Sequence, residues 1–314
     1  MSSSGKYQLQ KVLGSGSFGY VFLATHMPTG TRRAIKRIEK VGTQLSREYE
    51  VLAELKSLPH CVQLQECFFT KNEEGKLVQN LVFEFLENDL ERLIGTAKAA
   101  QQPLPIARVL DVGYQLFKGI AEVHARGIIH RDLKPENVLI NANGLVKICD
   151  FGSSKFVDPK GKNTPYIVSR YYRAPELFLC LTDYNGCIDV WAAGCILAEL
   201  VTLRPLFRGK SEGEQLFAIF RLWGSLSEEH RKYFGAKVPF SKTYLAKFPK
   251  YAKDEKLIDA LFADFSRKSE LIDFLNRVFE YNPEKRMTAE QALSHPLFAG
   301  QALKYKSFMR AIAN

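Results

Sequence analysis

The change of hydrophobic period partway along the chain is what most limits its fold. Over the first ~80 residues the pattern reads mostly as strands. One helical stretch breaks them, TQLSREYEVLAELKSL, in which Val51, Leu52, Leu55 and Leu58 recur at helical spacing. After about residue 105 the pattern turns helical. Val109, Val112, Leu116, Ile120 and Val123 mark one long amphipathic helix, and IDVWAAGCILAELVTL (188–203) and SELIDFLNRVF add two more. The pattern predicts an α+β chain of two lobes, a small β-rich one followed by a larger α-helical one. LVFEFLEND (81–89) lies at the change of character and is the expected connector.

With 314 residues, 46% hydrophobic and 25% charged, the chain can bury a sizeable core and stay soluble. The apolar window 188–203 contains Asp189 and Glu199 and is short for a bilayer, so it reads as a helix inside the protein and no membrane role is expected. The start, MSSSGKYQ, has no hydrophobic signal region. Six cysteines, at 61, 67, 149, 180, 187 and 195, form no CxxC pair and no zinc spacing, which suits reduced thiols in the cytosol or nucleus. The formal charge is +10, yet no Lys/Arg run exceeds two residues. Charge so dispersed does not make the continuous basic face that nucleic acid requires, and a phosphate-rich ligand or a phosphorylated partner accounts for it equally well.

LGSGSFGYV runs from Leu13 to Val21. Gly14, Gly16 and Gly19 would let backbone N–H groups approach a phosphate without interference from a Cβ. A dinucleotide-binding fold shows the same spacing, but there a helix follows, and here YVFLAT reads as a strand. A glycine hairpin with no ligand would look the same. Lys36, in RRAIKRI, sits among strand-like residues, and Glu48 follows twelve residues later on the expected helix. A carboxylate orienting a lysine makes sense where that lysine must hold phosphate oxygens.

HRDLKPENVLI begins at His130, and CDFG ends at Gly152. Asp132 would accept the hydrogen bond and the proton of a substrate hydroxyl. Lys134 would place a cation beside a transferring phosphoryl group. Asn137 and Asp150 offer hard oxygen ligands that suit magnesium. Gly152 would give the next loop room to pivot. Each piece alone could be a turn, since Asp and Asn are common in loops. In this order, behind a glycine loop and a lysine, they make up the set that phosphoryl transfer needs.

The chain thereby resembles the eukaryotic protein kinases from about Tyr7 to Phe298. The resemblance rests on GSGSFGYV, AIK, Glu48, HRDLKPEN, DFG, APE (174–176), DVWAAG and Arg286 in NPEKR. It implies a tail over 1–6 and a kinase domain over 7–298, with an N-lobe at about 7–84, a connector at 84–89 and a C-lobe at 90–298, then a second tail over 299–314. It implies ATP and Mg2+ as cofactors, protein substrates, and a structural pair between Glu176 and Arg286. Lys134 within HRDLKPEN is similar to the serine/threonine class. ATP would lie under Leu13, Gly14, Ser15, Gly16, Ser17, Phe18, Gly19, Tyr20 and Val21, with Lys36 on its phosphates. Ala34, Leu139 and Cys149 would border the ring, Phe83 would be the gatekeeper, and Glu84 and Leu86 would offer backbone bonds to adenine.

YIVSRYYRAPEL, SRE before the helix and CDFGSSK are similar to glycogen synthase kinase-3, in the group that also holds cyclin-dependent and MAP kinases. That resemblance maps a phosphate pocket onto Arg47, Arg131 and Lys155, so substrates would be primed by a phosphate C-terminal to the acceptor. It makes Tyr166 an activation-loop phosphosite whose phosphate would pair with Arg170 and Arg173. It also implies a monomer with scaffold proteins as partners, although 224–256 departs from the family pattern. LVFEFLEND is nearer to the cyclin-dependent kinases, but the helix around Glu48 lacks their cyclin-binding sequence. A pseudokinase scaffold would lack one of Lys36, Asp132, Asn137 or Asp150, and all four are present.

Overall fold

The computed structural model describes residues 5–16, 19–158, 169–238 and 248–313. Ser17, Phe18 and Tyr166 lie outside them. The N-terminal part is a five-stranded antiparallel sheet of β1 (Tyr7–Gly16), β2 (Gly19–His26), β3 (Thr31–Lys40), β4 (Leu64–Lys71) and β5 (Leu77–Glu84). The strands lie in the order β1-β2-β3-β5-β4. Val21 faces Lys36, and Ala34 faces both Leu23 and Phe83. Cross-strand partners share a face. Val21, Leu23, Ala34, Lys36 and Phe83 therefore all look towards the second lobe, while Ile35, Ala24 and Val82 pack with Tyr7 on the opposite side. Gly19 has φ +124°, and a Cβ there would lie 2.0 Å from the Arg37 carbonyl oxygen. Close approach of β3 alone therefore requires this glycine.

Helix α1 (Arg47–Glu54) starts on Ser46, whose side chain accepts a hydrogen bond from the Tyr49 amide. Glu48 and Glu50 favour the same end of the helix dipole. The sequence period predicted a helix reaching Leu58. It ends at Glu54 because Ser57 adopts a left-handed φ of 72° and Pro59 follows, turning the chain into an extended seam.

Beyond the connector, β6 (Asn88–Asp89) leads into α2 (Leu90–Ala99) and α3 (Ile106–Ala125). Four short strands then carry the loops: β7 (Ile128–Ile129), β8 (Val138–Ile140), β9 (Val146–Ile148) and β10 (Lys155–Phe156). Strand β8 lies between β6 and β9, and β10 pairs with β7. The helices α4 (Pro175–Phe178), α5 (Cys187–Thr202), α6 (Glu212–Trp223) and α7 (Glu228–Lys237) follow. Further helices occupy Glu255–Leu261, Lys268–Val278, Ala289–Leu293 and Gln301–Ala313. The window read as an internal helix is α5, buried from Cys187 to Leu200. A helix that is apolar all round belongs inside, and no described helix is long and apolar enough to cross a membrane. Residues 299–314, expected to be a tail, contain a thirteen-residue helix packed on α3.

Candidate active site

Strand β3 carries Lys36 into the space between the lobes, and α1 brings Glu48 to it. Lys36 Nζ lies 2.9 and 2.7 Å from the two Glu48 carboxylate oxygens and 2.7 Å from Asp150 Oδ1. Lys36 and Glu48 are buried, whereas Asp150 is exposed. Burial opposes the Lys36 charge, but the two carboxylates outweigh it and raise its pKa. Burial likewise pushes Asp150 up, and Lys36 more than offsets this, leaving its carboxyl below the usual range. The ammonium is thus charged and aimed between a helix and the loop after β9.

That loop is held in an unusual shape. Asp150 has φ 59° and Arg131 has φ 70°, both left-handed and neither glycine. Asp189, at the start of α5, supports Arg131 from below. Its carboxylate accepts hydrogen bonds from the His130 amide at 2.8 Å and the Arg131 amide at 2.9 Å, and lies 2.9 Å from His124 Nε2. Burial raises the Asp189 carboxyl, yet these donors hold it below the usual range. His130 Nε2 lies 2.9 Å from the Cys149 carbonyl, and its ring meets Phe151 edge-on. The two loops that carry Asp132 and Asp150 are therefore tied to each other and to the core.

Asp132 projects from this frame. Its Oδ1 accepts from the Ser169 amide at 3.0 Å and the Ser169 hydroxyl at 2.8 Å. Its Oδ2 lies 3.5 Å from Lys134 Nζ and 3.4 Å from Asn137 Nδ2. Asn137 Nδ2 also donates to the Asp132 carbonyl at 2.8 Å, which leaves the amide oxygen available as an acceptor. Asn137 and Asp150 fit a magnesium ion, which takes one or two protein oxygens and completes its shell from water and phosphate.

The expected nucleotide-facing residues divide. Val21, Ala34, Lys36 and Phe83 share the inward sheet face, and Leu139 and Cys149 follow from β8 and β9. Cys149 is a filler whose thiol burial pushes up in pKa. Glu84 begins the connector, and its side chain is engaged by Lys147 at 2.6 Å and by the Gln63 amide at 2.9 Å. Leu13 and Leu86 are half-buried, and Ser15 is exposed. Tyr20 is largely exposed. A Cβ at Gly14 would meet no protein atom within 4 Å. The Gly152 backbone stands in a tight turn over Phe151–Ser153, beside α1.

Of the three expected phosphate-pocket cations, Arg47 is exposed at the start of α1, which packs against the strand of Lys155. Arg131 donates from Nε to the Ser153 carbonyl at 2.6 Å and lies 3.4 Å from the Tyr184 hydroxyl. It therefore braces the loop that leads to Lys155. The pairing expected for a Tyr166 phosphate meets a different arrangement. Arg170 donates to the Lys210 carbonyl, and Arg173 lies 2.6 Å from Glu212 and over the Phe178 ring, so both arginines already have partners. Glu176 and Arg286 form the expected pair, both wholly buried, with two bonds of 2.6 and 2.8 Å.

Sequence reasoning missed Ser169 and gave no role to Asp189. Ser169 lies thirty-seven residues from Asp132, so no local pattern could reveal the bond. A cavity of about 420 Å³ opens beside it, walled by Lys134, Glu136, Tyr172 and Glu199.

Two comparisons agree with this geometry. The family model described as the protein kinase domain matches residues 7–298. The chain is 36% identical over 297 residues to Protein kinase gsk3 of Schizosaccharomyces pombe, spanning 93% of this chain and 74% of that one.

Proposed function

Because this chain belongs to the protein kinase domain family and is an ATP-dependent serine/threonine kinase of the glycogen synthase kinase-3 type, we propose that it prefers protein substrates already carrying a phosphate C-terminal to the acceptor hydroxyl. What supports this reading is that α1, which begins at Arg47, packs against β10, the strand of Lys155, while Lys155 pairs with Ile129 two residues before Arg131 and Arg131 donates to the Ser153 carbonyl two residues before Lys155. Three cations suit a phosphate dianion, and arginine can grip it with two nitrogens.

The rest of the chemistry follows from positions. Lys36, oriented by Glu48, holds the phosphates of ATP. Asn137 and Asp150 hold magnesium, which when bound neutralises the charge on the phosphate oxygens. Ser169 fixes one oxygen of Asp132, and the carboxylate accepts the hydrogen bond and then the proton of the incoming serine or threonine. Lys134, 3.5 Å from Asp132, brings its cation to the same point. The cavity beside Ser169 gives the peptide a place to lie. The lobes divide at the connector, 84–89, with the kinase domain over 7–298.

The test is a peptide library with phosphoserine at varied offsets, assayed on the purified chain. Higher kcat/KM for peptides phosphorylated about four residues C-terminal to the acceptor is expected, a gain that Arg131→Ala and Lys155→Ala should abolish. Equal turnover of primed and unprimed peptides removes the priming reading. Asp132→Asn should lower kcat by about 10²–10⁴-fold, the usual contribution of a general base.

A further inference from the structure

His60 is wholly buried in the seam that follows α1. Its backbone carbonyl accepts from the Ile148 amide at 2.8 Å, and the Val62 amide donates to the Ile148 carbonyl at 2.9 Å. Cys61 pairs with Ile148 in parallel. The segment that leaves the Glu48 helix is therefore stitched to β9, and β9 runs straight into Cys149 and Asp150. Helix α3 lies directly behind, where a Cβ at Gly119 would come within 2.8 Å of the His60 Cβ.

The His60 ring reaches through this seam. Nδ1 lies 2.8 Å from the Val146 carbonyl, and Nε2 lies 2.7 Å from the Tyr305 hydroxyl. A carbonyl can only accept, so Nδ1 carries the proton and Nε2 of the neutral ring is an acceptor. The Tyr305 O–H fills it. The Tyr305 ring also packs on His60 and on Tyr114 of α3, with centroids 5.3 and 5.7 Å away. A residue of the Gln301–Ala313 helix thus completes a hydrogen-bonded chain ending on the strand that delivers Asp150.

We propose that Tyr305 is a positioning residue for phosphoryl transfer, its hydroxyl fixing the His60 ring and through it the spacing between Glu48 and Asp150 around Lys36. This rests on the reading of Lys36, Asp132 and Asp150 given above and extends it to a residue that touches neither nucleotide nor peptide. Tyr305→Phe keeps the ring and its packing but removes the donor that His60 Nε2 has among the described residues, leaving a buried acceptor unpaired. The seam then loosens at the point that sets the Lys36 partners.

The experiment measures kcat and both KM values for the full chain and for Tyr305→Phe. KM for ATP should rise about fivefold in the variant, within the range seen for coupling through packed networks, with KM for peptide unchanged. Amide exchange over Glu48–Glu54 should quicken as well. Wild-type kinetics in Tyr305→Phe overturn the proposal, even if thermal stability drops. Should the variant not fold, the unaltered protein still decides, because ¹⁵N shifts of His60 must report the Nδ1–H tautomer. An Nε2–H tautomer overturns it. Asp132→Asn, run alongside, separates the two levels. Full activity there sinks the phosphotransfer reading, whereas an unchanged Tyr305→Phe sinks only the role of Tyr305.

Discussion

Arg286→Lys keeps the charge of a wholly buried residue and destroys its geometry. The guanidinium donates to both Glu176 oxygens at 2.6 and 2.8 Å, to the Cys187 carbonyl at 3.0 Å and to the Glu280 carbonyl at 2.8 Å, and it lies over the Trp191 ring. One ammonium cannot reach four acceptors that surround a planar fork. Leaving two of them unpaired costs about 1–3 kcal/mol each, so a loss of about 4 kcal/mol is expected. That agrees with the ~3–5 kcal/mol typical of breaking a buried ion pair. At roughly 2 °C per kcal/mol for a chain of this size, Tm should fall by about 8 °C. Thermal unfolding at one scan rate, with urea unfolding as a second probe, reads the effect. Because unpaired buried acceptors are the stated cause, Glu176→Leu combined with Arg286→Met, which removes the two carboxylate acceptors with their donor, should recover part of the loss. A single variant less than about 1 kcal/mol weaker than the parent, or a double variant no better than the single, refutes the reasoning.

Glu199 offers a pH test. Burial, with Glu91 and Glu136 adding to it against the bond from Tyr172, pushes its carboxyl up to about 7. A raised acid holds its proton in the folded state longer than in the unfolded one, so stability falls as pH rises from about 4.5 to about 7. Glu199→Gln should flatten that part of the stability curve, as denaturant midpoints across the window will show. Glu48→Gln weakens the grip on Lys36 and should lower kcat/KM for ATP by about 10²-fold with little change in the KM for peptide. Gly19→Ala drives a Cβ into the Arg37 carbonyl at a φ of +124°, and should cost about 1–3 kcal/mol by thermal unfolding while raising KM for ATP.

How much was legible in the sequence depended on the length of the pattern. The strand-to-helix change announced the two lobes because periods of two and 3.6 persist over many residues. The Lys36, Asp132, Asn137 and Asp150 set was legible because its order is rigid and its residue types follow from the chemistry. The end of α1 was not, since apolar spacing continued through Leu58 while Ser57 turned left-handed. The bond from Arg173 to Glu212 was not legible, because nothing local ties residues thirty-nine apart. The Tyr305 contact with His60 spans 245 residues and was beyond any local reading. The 299–314 stretch passed for a tail for the same reason, since its partners lie on α3 and in the seam.

The backbone stitching of His60 and Val62 to Ile148 also decides how α1 can travel. One end of the helix is moored there, and the other, about 12 Å along the axis, is held more lightly, by the Ser46 amide on the Gln79 side chain at 3.1 Å and by Glu48 on Lys36. A tilt of about 10° would swing that end by ~2 Å and barely disturb Leu52. Such a tilt would register most strongly at Arg47, so, on the priming proposed above, a bound substrate phosphate and the Glu48–Lys36 contact should rise and fall together.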